Sequence, residues 1–411
     1  MQIPQVTLPP KFMAEVKAIV GPNGFSCTTP DRLSYCRDAN FRSAIQAHYS
    51  KFDNFPAIIV WPETNEQISQ LIKSAGKNKI ALTPYGGGSG VCGGAINYQG
   101  GMILDLKKMN RILRLDGDRL FVDVESGMFG QNLENELSRQ GYTLGHFPSS
   151  IYSATIGGYL AARSAGQHSS KYGKIEDMVI DLEFIDGQGK VYQTSDVSRS
   201  KGLDLTQIIV GSEGTLGVIT KSRLKIFPKP KTRIYKSYNF SKVEYGMEAL
   251  RRIMQTGIKP DVLRLYDELD SLLMFKKEGT GNDDVDVMPE FVKNAAAKIK
   301  SKMLKLVFKG PLVINELSRL SWAGCLLVVM LEGEPNIIEQ QLSIINSICI
   351  DMNAKDLGQG LSRHWHKHRY SVSYKASKLF TDGAFTDTME VATTWDNLER
   401  LYNGVISRLK K

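Results

Sequence analysis

The sequence predicts an α+β protein in two parts, and three observations carry that expectation. Short apolar runs alternate with stretches of helical periodicity through the first half of the chain. Three loops rich in glycine and serine, each beside a strand, interrupt that half. From about Thr232 glycine becomes sparse and longer helices appear, which sets a boundary at Pro228–Lys231. The 411 residues suit two or three domains at about 150 residues each. We divide them into a helical lead-in over 1–50, a first domain over 51–230 and a second over 231–411.

The elements follow in order. Ala57–Val60 is a short buried strand, and Pro62 opens a helix to about Ala75 with Ile68, Leu71 and Ile72 on one face. Ile80–Thr83 is a strand that runs into a glycine loop. Met102–Leu106, Ile112–Asp116 and Leu120–Val124 are strands, the last two joined at Asp116-Gly117. Phe129–Gln140 is helical and stops at Gly141. Val179–Phe184 and Lys190–Thr194 form a hairpin, and Ile208–Phe227 holds a further glycine loop and a strand. In the second part, Glu244–Gln255, Glu290–Lys305 and Asn397–Leu409 read as helices and Cys325–Leu331 as a strand.

Composition excludes several classes. Apolar residues at 42% and charged residues at 23% are ordinary for a globular protein. No apolar run approaches the roughly 20 residues that span a bilayer, and the first residues lack the pattern of a secretory leader. The five cysteines, Cys27, Cys36, Cys92, Cys325 and Cys349, are scattered, so free thiols in a reducing, cytoplasmic compartment are expected. Part of the net charge of +9 sits in Lys293–Lys309, where six lysines alternate with apolar residues. That stretch reads either as a solvated helix face or as a peripheral contact with an anionic membrane. No nucleic-acid signature accompanies the charge.

The stretch Thr83–Gly94, TPYGGGSGVCGG, contains the G-x-G-x-x-G pattern of dinucleotide-binding folds. That pattern needs a helix after it, to aim amides at a pyrophosphate. Val91–Gly101 contains four glycines, each costing a helix about 1 kcal/mol relative to alanine, so the Rossmann reading fails. The loop still suits an anion, since six glycines in nine residues let main-chain amides turn inward and oxygens approach. Phe147–Gly158 and Gly211–Ile219 are two more small-residue loops, and the three together suit one extended cofactor.

PETNEQISQLIKSAGKNKIALTPYGGGSG, TIGGYLAARSAGQHSSKYGKIEDMV and GSEGTLGVIT together resemble the flavoproteins of the vanillyl-alcohol-oxidase and para-cresol-methylhydroxylase superfamily. Within it, the chain is most similar to the alkyl-dihydroxyacetone-phosphate synthases, from about Pro56 to Trp395. The resemblance implies a two-subdomain PCMH-type FAD-binding domain followed by an α+β cap domain that receives substrate. It implies that Pro84, Tyr85, Gly86, Gly87, Gly88, Ser89 and Gly90 hold the FAD pyrophosphate. Ser149, Ser150, Ile151, Tyr152, Ser153, Ala154 and Thr155 would line the flavin with Ala162, Arg163, Ser164 and Ala165, and Gly158 joins the cofactor set. Glu213, Gly214, Thr215, Leu216, Gly217, Val218 and Ile219 would border the cofactor. Relatives that tether FAD through this loop carry a histidine where this chain has Gly88, so non-covalent FAD is expected.

The resemblance implies a catalytic role for Arg264, in Arg264-Leu-Tyr-Asp267, near the flavin; a surface ion pair with Asp267 is the competing reading. Glu390 and Trp395-Asp396 also match family positions. Two departures stand out. A substrate-contacting arginine of the family falls on Ala376 in Tyr374-Lys-Ala-Ser377, where only Lys375 or Lys378 offers charge. The family also continues past the position of Lys411 with cap strands, a catalytic tyrosine, a histidine cluster and a returning tail. The run Arg363-His-Trp-His-Lys-His368 cannot replace that cluster, and no metal is expected there.

Three functions follow. The first is FAD-dependent synthesis of an ether-lipid precursor, exchanging an acyl group for a fatty alcohol at flavin N5 on a lipid-like substrate. The second is FAD-dependent oxidation of a small 2-hydroxy acid, of the D-lactate or glycolate type. The third is an FAD-binding subunit or inactive remnant, with a second polypeptide supplying the segment beyond Lys411. A homodimer is the other partner reading.

Overall fold

The computed structural model describes residues 8–196, 202–268, 270–271, 324–371 and 387–409. The basic stretch Lys293–Lys309, the helix expected over Glu290–Lys305 and the Tyr374–Lys378 run lie outside the described residues. The chain forms two compact units, one built on Met1–Lys229 with Tyr370–Thr388 and the other on Pro230–Arg369 with Met389–Lys411.

The first unit opens with helix α1 (Pro10–Val20), which buries Phe12 and Val16, and strand β1 (Phe25–Ser26). Two short helices follow, α2 (Thr29–Ser34) and α3 (Phe41–His48). Strand β2 (Ile58–Val60) leads to helix α4 (Asn65–Lys77) and strands β3 (Leu82–Tyr85) and β4 (Met102–Asp105). Helix α4 starts three residues after Pro62, because Thr64 caps it by accepting the Gln67 N–H at 3.2 Å. Ile68, Leu71, Ile72 and Ala75 recur at helical spacing and form its buried face. The sheet order is β1-β2-β4-β3, with β2 and β3 parallel to the wholly buried β4. The lead-in thus adds an edge strand to this sheet, and α1 packs on α4. Residues 86–101 return from β3 to β4 without a helix, so the Rossmann arrangement is absent.

Strands β5 (Ile112–Asp116) and β6 (Phe121–Glu125) begin the second sheet. Helix α5 (Gly130–Arg139) and strand β7 (Tyr142–Thr143) follow, then short helices α6 (Ile156–Ala161), α7 (Ser169–Tyr172) and α8 (Ile175–Met178). Strands β8 (Val179–Ile185) and β9 (Val191–Gln193) make the expected hairpin. Helix α9 (Leu205–Ile209), strand β10 (Val218–Lys225) and strand β11 (Phe227–Pro228) complete the unit. The antiparallel order is β5-β6-β10-β8-β9. At the start of β10 the alternation of a strand sends Val218 into the core of the first sheet and Ile219 into that of the second.

In the second unit, β12 (Thr232–Phe240), α10 (Val243–Gln255), β13 (Val262–Tyr266) and β14 (Cys325–Gly333) precede α11 (Pro335–Asp351). Strand β15 (Lys355–Gly358) and helices α12 (Gly360–His368) and α13 (Leu398–Leu409) follow. The antiparallel order is β13-β14-β12-β15. Strand β14 is apolar from Cys325 to Leu331 because both its faces are covered. Cys325, Leu327, Val329 and Leu331 meet α10 and α11, while Leu326, Val328 and Met330 share a core with Trp365 of α12. The histidine run is therefore helical. His364 and His368 lie with rings 4.2 Å apart, and His366 turns to the Tyr235 hydroxyl at 3.1 Å.

Candidate functional site

Strand β3 ends at Tyr85, and the chain leaves it as Gly86-Gly87-Gly88-Ser89-Gly90. Gly88 has φ +60°, in the left-handed region that side chains disfavour, and a Cβ there would overlap the Tyr85 hydroxyl. A Cβ on Gly86 would overlap Thr155 Oγ1, and one on Gly87 the Ser153 carbonyl oxygen. The first and second loops therefore meet with no room for a side chain. The third loop joins them: a Cβ on Gly214 would come within 3.1 Å of Pro84 Cγ, and one on Gly94 within 2.8 Å of Glu213 Oε2. All three loops lie together.

The loops are fixed from behind. Gly130 N–H donates to the Ala154 carbonyl at 3.0 Å, and Gly157 N–H to that of Ser126 at 2.8 Å. Thr155 caps α6, accepting the Gly158 N–H at 3.2 Å. Gly211 and Glu213 N–H donate to the carbonyls of Leu160 and Ala161 at 2.9 and 3.0 Å. Arg163 and Glu213 both hold left-handed backbone, at φ +49° and +51°, a strain that side chains adopt where surroundings impose it. The Arg163 guanidinium donates to the carbonyls of Gln207 and Val210 at 2.6 and 3.0 Å, tying α6 to the third loop.

The front of the first loop differs. Among the described residues, the main-chain N–H groups of Gly87, Gly88, Ser89 and Gly90 donate to no protein acceptor. A Cβ on Gly90 would meet nothing within 4 Å. A run of amide donors beside open space fits an extended polyanion, because each bond to a charged acceptor contributes about 1.5–3 kcal/mol. The remaining site candidates divide. Ile151, Ala154, Val218 and Ile219 place their side chains in the core, while Tyr152, Ala162, Ala165, Thr215 and Leu216 are exposed.

Several residues that the sequence reading passed over stand beside the loops. His146 is buried with Nε2 2.8 Å from Ser164 Oγ and its ring edge-on to Tyr159. Burial pushes its pKa down to about 3, so the imidazole is neutral at pH 7. The lead-in clasps the first loop: Ala39 N–H donates to Gly90 O at 3.0 Å, and Asn40 Nδ2 to Val91 O at 2.8 Å. Lys107 Nζ donates to Gly86 O at 3.1 Å and pairs with Asp105 at 2.8 Å. The sequence carried one signal for this pair, a carboxylate closing the buried strand MILD.

In the second unit, Arg264 projects exposed from β13, its guanidinium 5.6 Å from the rings of both Tyr266 and Trp365. Among the described residues it makes no ion pair with Asp267, which instead accepts from Tyr402 Oη at 3.3 Å. These cation–π contacts occupy none of its N–H groups, which make no hydrogen bond among the described residues. Glu390, Trp395 and Asp396 are exposed.

Comparison with known proteins agrees with this geometry. Residues 56–195 match the family model of the FAD binding domain, and residues 229–411 that of the C-terminal domain of FAD linked oxidases. Alkyldihydroxyacetonephosphate synthase of Dictyostelium discoideum is 27% identical over 396 residues, covering 96% of this chain and 62% of its own length. The chain thus spans less than two thirds of that relative. A mitochondrial D-lactate dehydrogenase (cytochrome) of Arabidopsis thaliana is 31% identical over 264 residues, 64% of this chain and 45% of that one. A solved alkyldihydroxyacetonephosphate synthase superposes with a TM-score of 0.83 at 25% identity, covering all of this chain and 72% of the other. The chain therefore carries the FAD binding domain and the C-terminal domain of the FAD linked oxidases, and its likeness to alkyldihydroxyacetonephosphate synthases runs across both.

Proposed function

We propose that this chain holds FAD non-covalently between its three loops and acts as an enzyme of the alkyldihydroxyacetonephosphate-synthase type. The observation that carries the reading is the row of amides from Gly87 to Gly90 that find no acceptor among the described residues, packed against the second loop and flanked by the third. On this reading Pro84–Gly90 take the pyrophosphate, Ser149–Thr155, Gly158 and Ala162–Ala165 line the flavin, and Glu213–Ile219 border it. Gly88 offers no nucleophile for a tether, and its left-handed backbone and the nearby Tyr85 hydroxyl oppose any side chain. Bound FAD supplies an electrophilic ring system. The chain supplies donors that orient it, a neutral imidazole at His146, and the Arg264 guanidinium to stabilise negative charge on substrate.

The substrate class rests on likeness across both units, and it is the exchange of an acyl group for a fatty alcohol on a dihydroxyacetone phosphate. Yellow colour released into the supernatant on acid precipitation tests the cofactor and its non-covalent attachment. Colour retained in the pellet would contradict the attachment, and a colourless protein that takes up no FAD would contradict both. Likeness to a D-lactate dehydrogenase favours a second reading, oxidation of a small 2-hydroxy acid. Anaerobic mixing with D-lactate, D-2-hydroxyglutarate or glycolate separates the two, since only the oxidation bleaches the flavin. FAD binding without turnover of either substrate class points to a binding subunit or remnant. Among the described residues no helix is long and apolar enough to cross a membrane. Flotation with anionic vesicles tests a peripheral contact through residues 293–309, and light scattering tests a homodimer.

A further inference from the structure

In the Gly86-Gly87 peptide neither residue carries a side chain to limit its rotation. Something outside the loop must set its orientation. Lys107, just past the end of β4, reaches the Gly86 carbonyl with Nζ at 3.1 Å. In a planar trans peptide the C=O and the following N–H point in opposite directions. Holding the Gly86 oxygen on the lysine side therefore turns the Gly87 N–H to the other side, where it donates to no protein acceptor among the described residues.

The lysine is itself held. Its ammonium lies 2.8 Å from Asp105 Oδ2 and 5.0 Å from the ring centres of both Tyr35 and Tyr85. Asp105 is fully buried, and its carboxylate also accepts from Tyr35 Oη at 2.5 Å, Trp61 Nε1 at 3.1 Å and the Lys107 main-chain N–H at 2.9 Å. A buried carboxylate with this many donors is fixed in place. Because Asp105 balances the lysine charge, the pair directs a dipole and adds little net field.

We propose that Lys107 is a positioning residue for the cofactor diphosphate. It acts through Gly86, presetting the Gly87 amide as an anion donor, with Asp105, Tyr35 and Trp61 as its mount. The inference rests on the FAD reading and goes beyond it. It assigns diphosphate recognition to a side chain outside every glycine loop, and the lead-in contributes through Tyr35.

The test uses the full chain stripped of flavin and titrated calorimetrically with FAD, riboflavin and ADP. The variants are Lys107→Met and, because that change strands a buried carboxylate, the paired Asp105→Asn/Lys107→Met. Affinity for FAD and ADP should fall about ten- to a hundredfold in the folded variants, the range of one charge-assisted hydrogen bond. Riboflavin, which has no phosphate, should bind within about twofold of wild type. A purely structural lysine would weaken FAD and riboflavin alike, or neither, and either result overturns the proposal. If the single variant does not fold, the paired variant decides by the same criterion. Failure of the wild-type chain to bind any of the three ligands would overturn the FAD reading itself, and this inference with it; failure of the inference alone appears only in the variants.

Discussion

Gly87 faces the carbonyl oxygen of Ser153 so closely that a Cβ would overlap it, whereas a Cβ on Gly90, three residues on, would meet nothing within 4 Å. One loop thus carries a glycine required by its neighbour and one that is not. Gly87→Ala should force the first two loops apart, at the roughly 1–3 kcal/mol that overpacking costs. Its apoprotein should melt lower and, because FAD needs the two loops restored to their places, bind FAD about five- to a hundredfold more weakly, at about 1.4 kcal/mol to a factor of ten. Gly90→Ala should match wild type within about threefold. Calorimetric melting and FAD titration of both variants check this, and equal behaviour of the two would refute the packing argument.

Gly88 gives a second test. Its φ of +60° and the Tyr85 hydroxyl beside its missing Cβ mean that installing a histidine does not create a tether. Gly88→His should lose FAD affinity and still release whatever flavin it holds on acid precipitation. Adding Tyr85→Phe removes the overlapping oxygen and should restore part of the affinity. Flavin retained in the precipitate of the single variant would show that the loop adapts more than its packing implies.

How much of this was legible in the sequence depended on whether the signal was local. The buried face of α4 stood out because Ile68, Leu71 and Ile72 repeat at helical spacing, and β14 because its two covered faces make the run apolar throughout. The three loops stood out because glycine is costly anywhere that does not need it. Pro62 misled the start of α4, since the Thr64 side chain sets the first turn there. Lys107 was not legible: it meets Gly86 across 21 residues, through parallel strand pairing that no spacing rule encodes. Arg163 was expected to line the flavin with its segment, and its guanidinium serves the carbonyls of Gln207 and Val210.

His146 predicts a pH dependence whose sign is fixed. Its folded-state pKa of about 3 lies below the ordinary 6.5, so below pH 6.5 the unfolded chain binds a proton that the folded chain refuses. Stability is complete above that pH and falls as pH drops, by about 1.4 kcal/mol per unit, until the folded imidazole titrates. Between neutrality and pH 5, before most carboxylates protonate, His146 should account for about 2 kcal/mol of lost stability. His146→Gln, which keeps a polar side chain and does not titrate, should flatten urea-unfolding stability over that interval. An unchanged slope would mean that the imidazole is protonated in the fold.

Arg264 allows the chemistry to be separated from cofactor binding. It stands on β13 of the second unit, within cation–π distance of Tyr266 and Trp365, while the three loops belong to the first. If the guanidinium stabilises charge developing on substrate, Arg264→Ala should lower turnover by about 10²–10³-fold, as loss of one such donor does elsewhere. FAD content and the melting temperature should stay near those of wild type. Arg264→Lys keeps the charge but loses the planar face that the two rings hold and the paired N–H groups, so it should recover only a minor part of the rate. The variants are compared by steady-state turnover at matched flavin content. A lysine variant as fast as wild type would show that charge alone suffices, and an alanine variant as fast would remove Arg264 from the reaction.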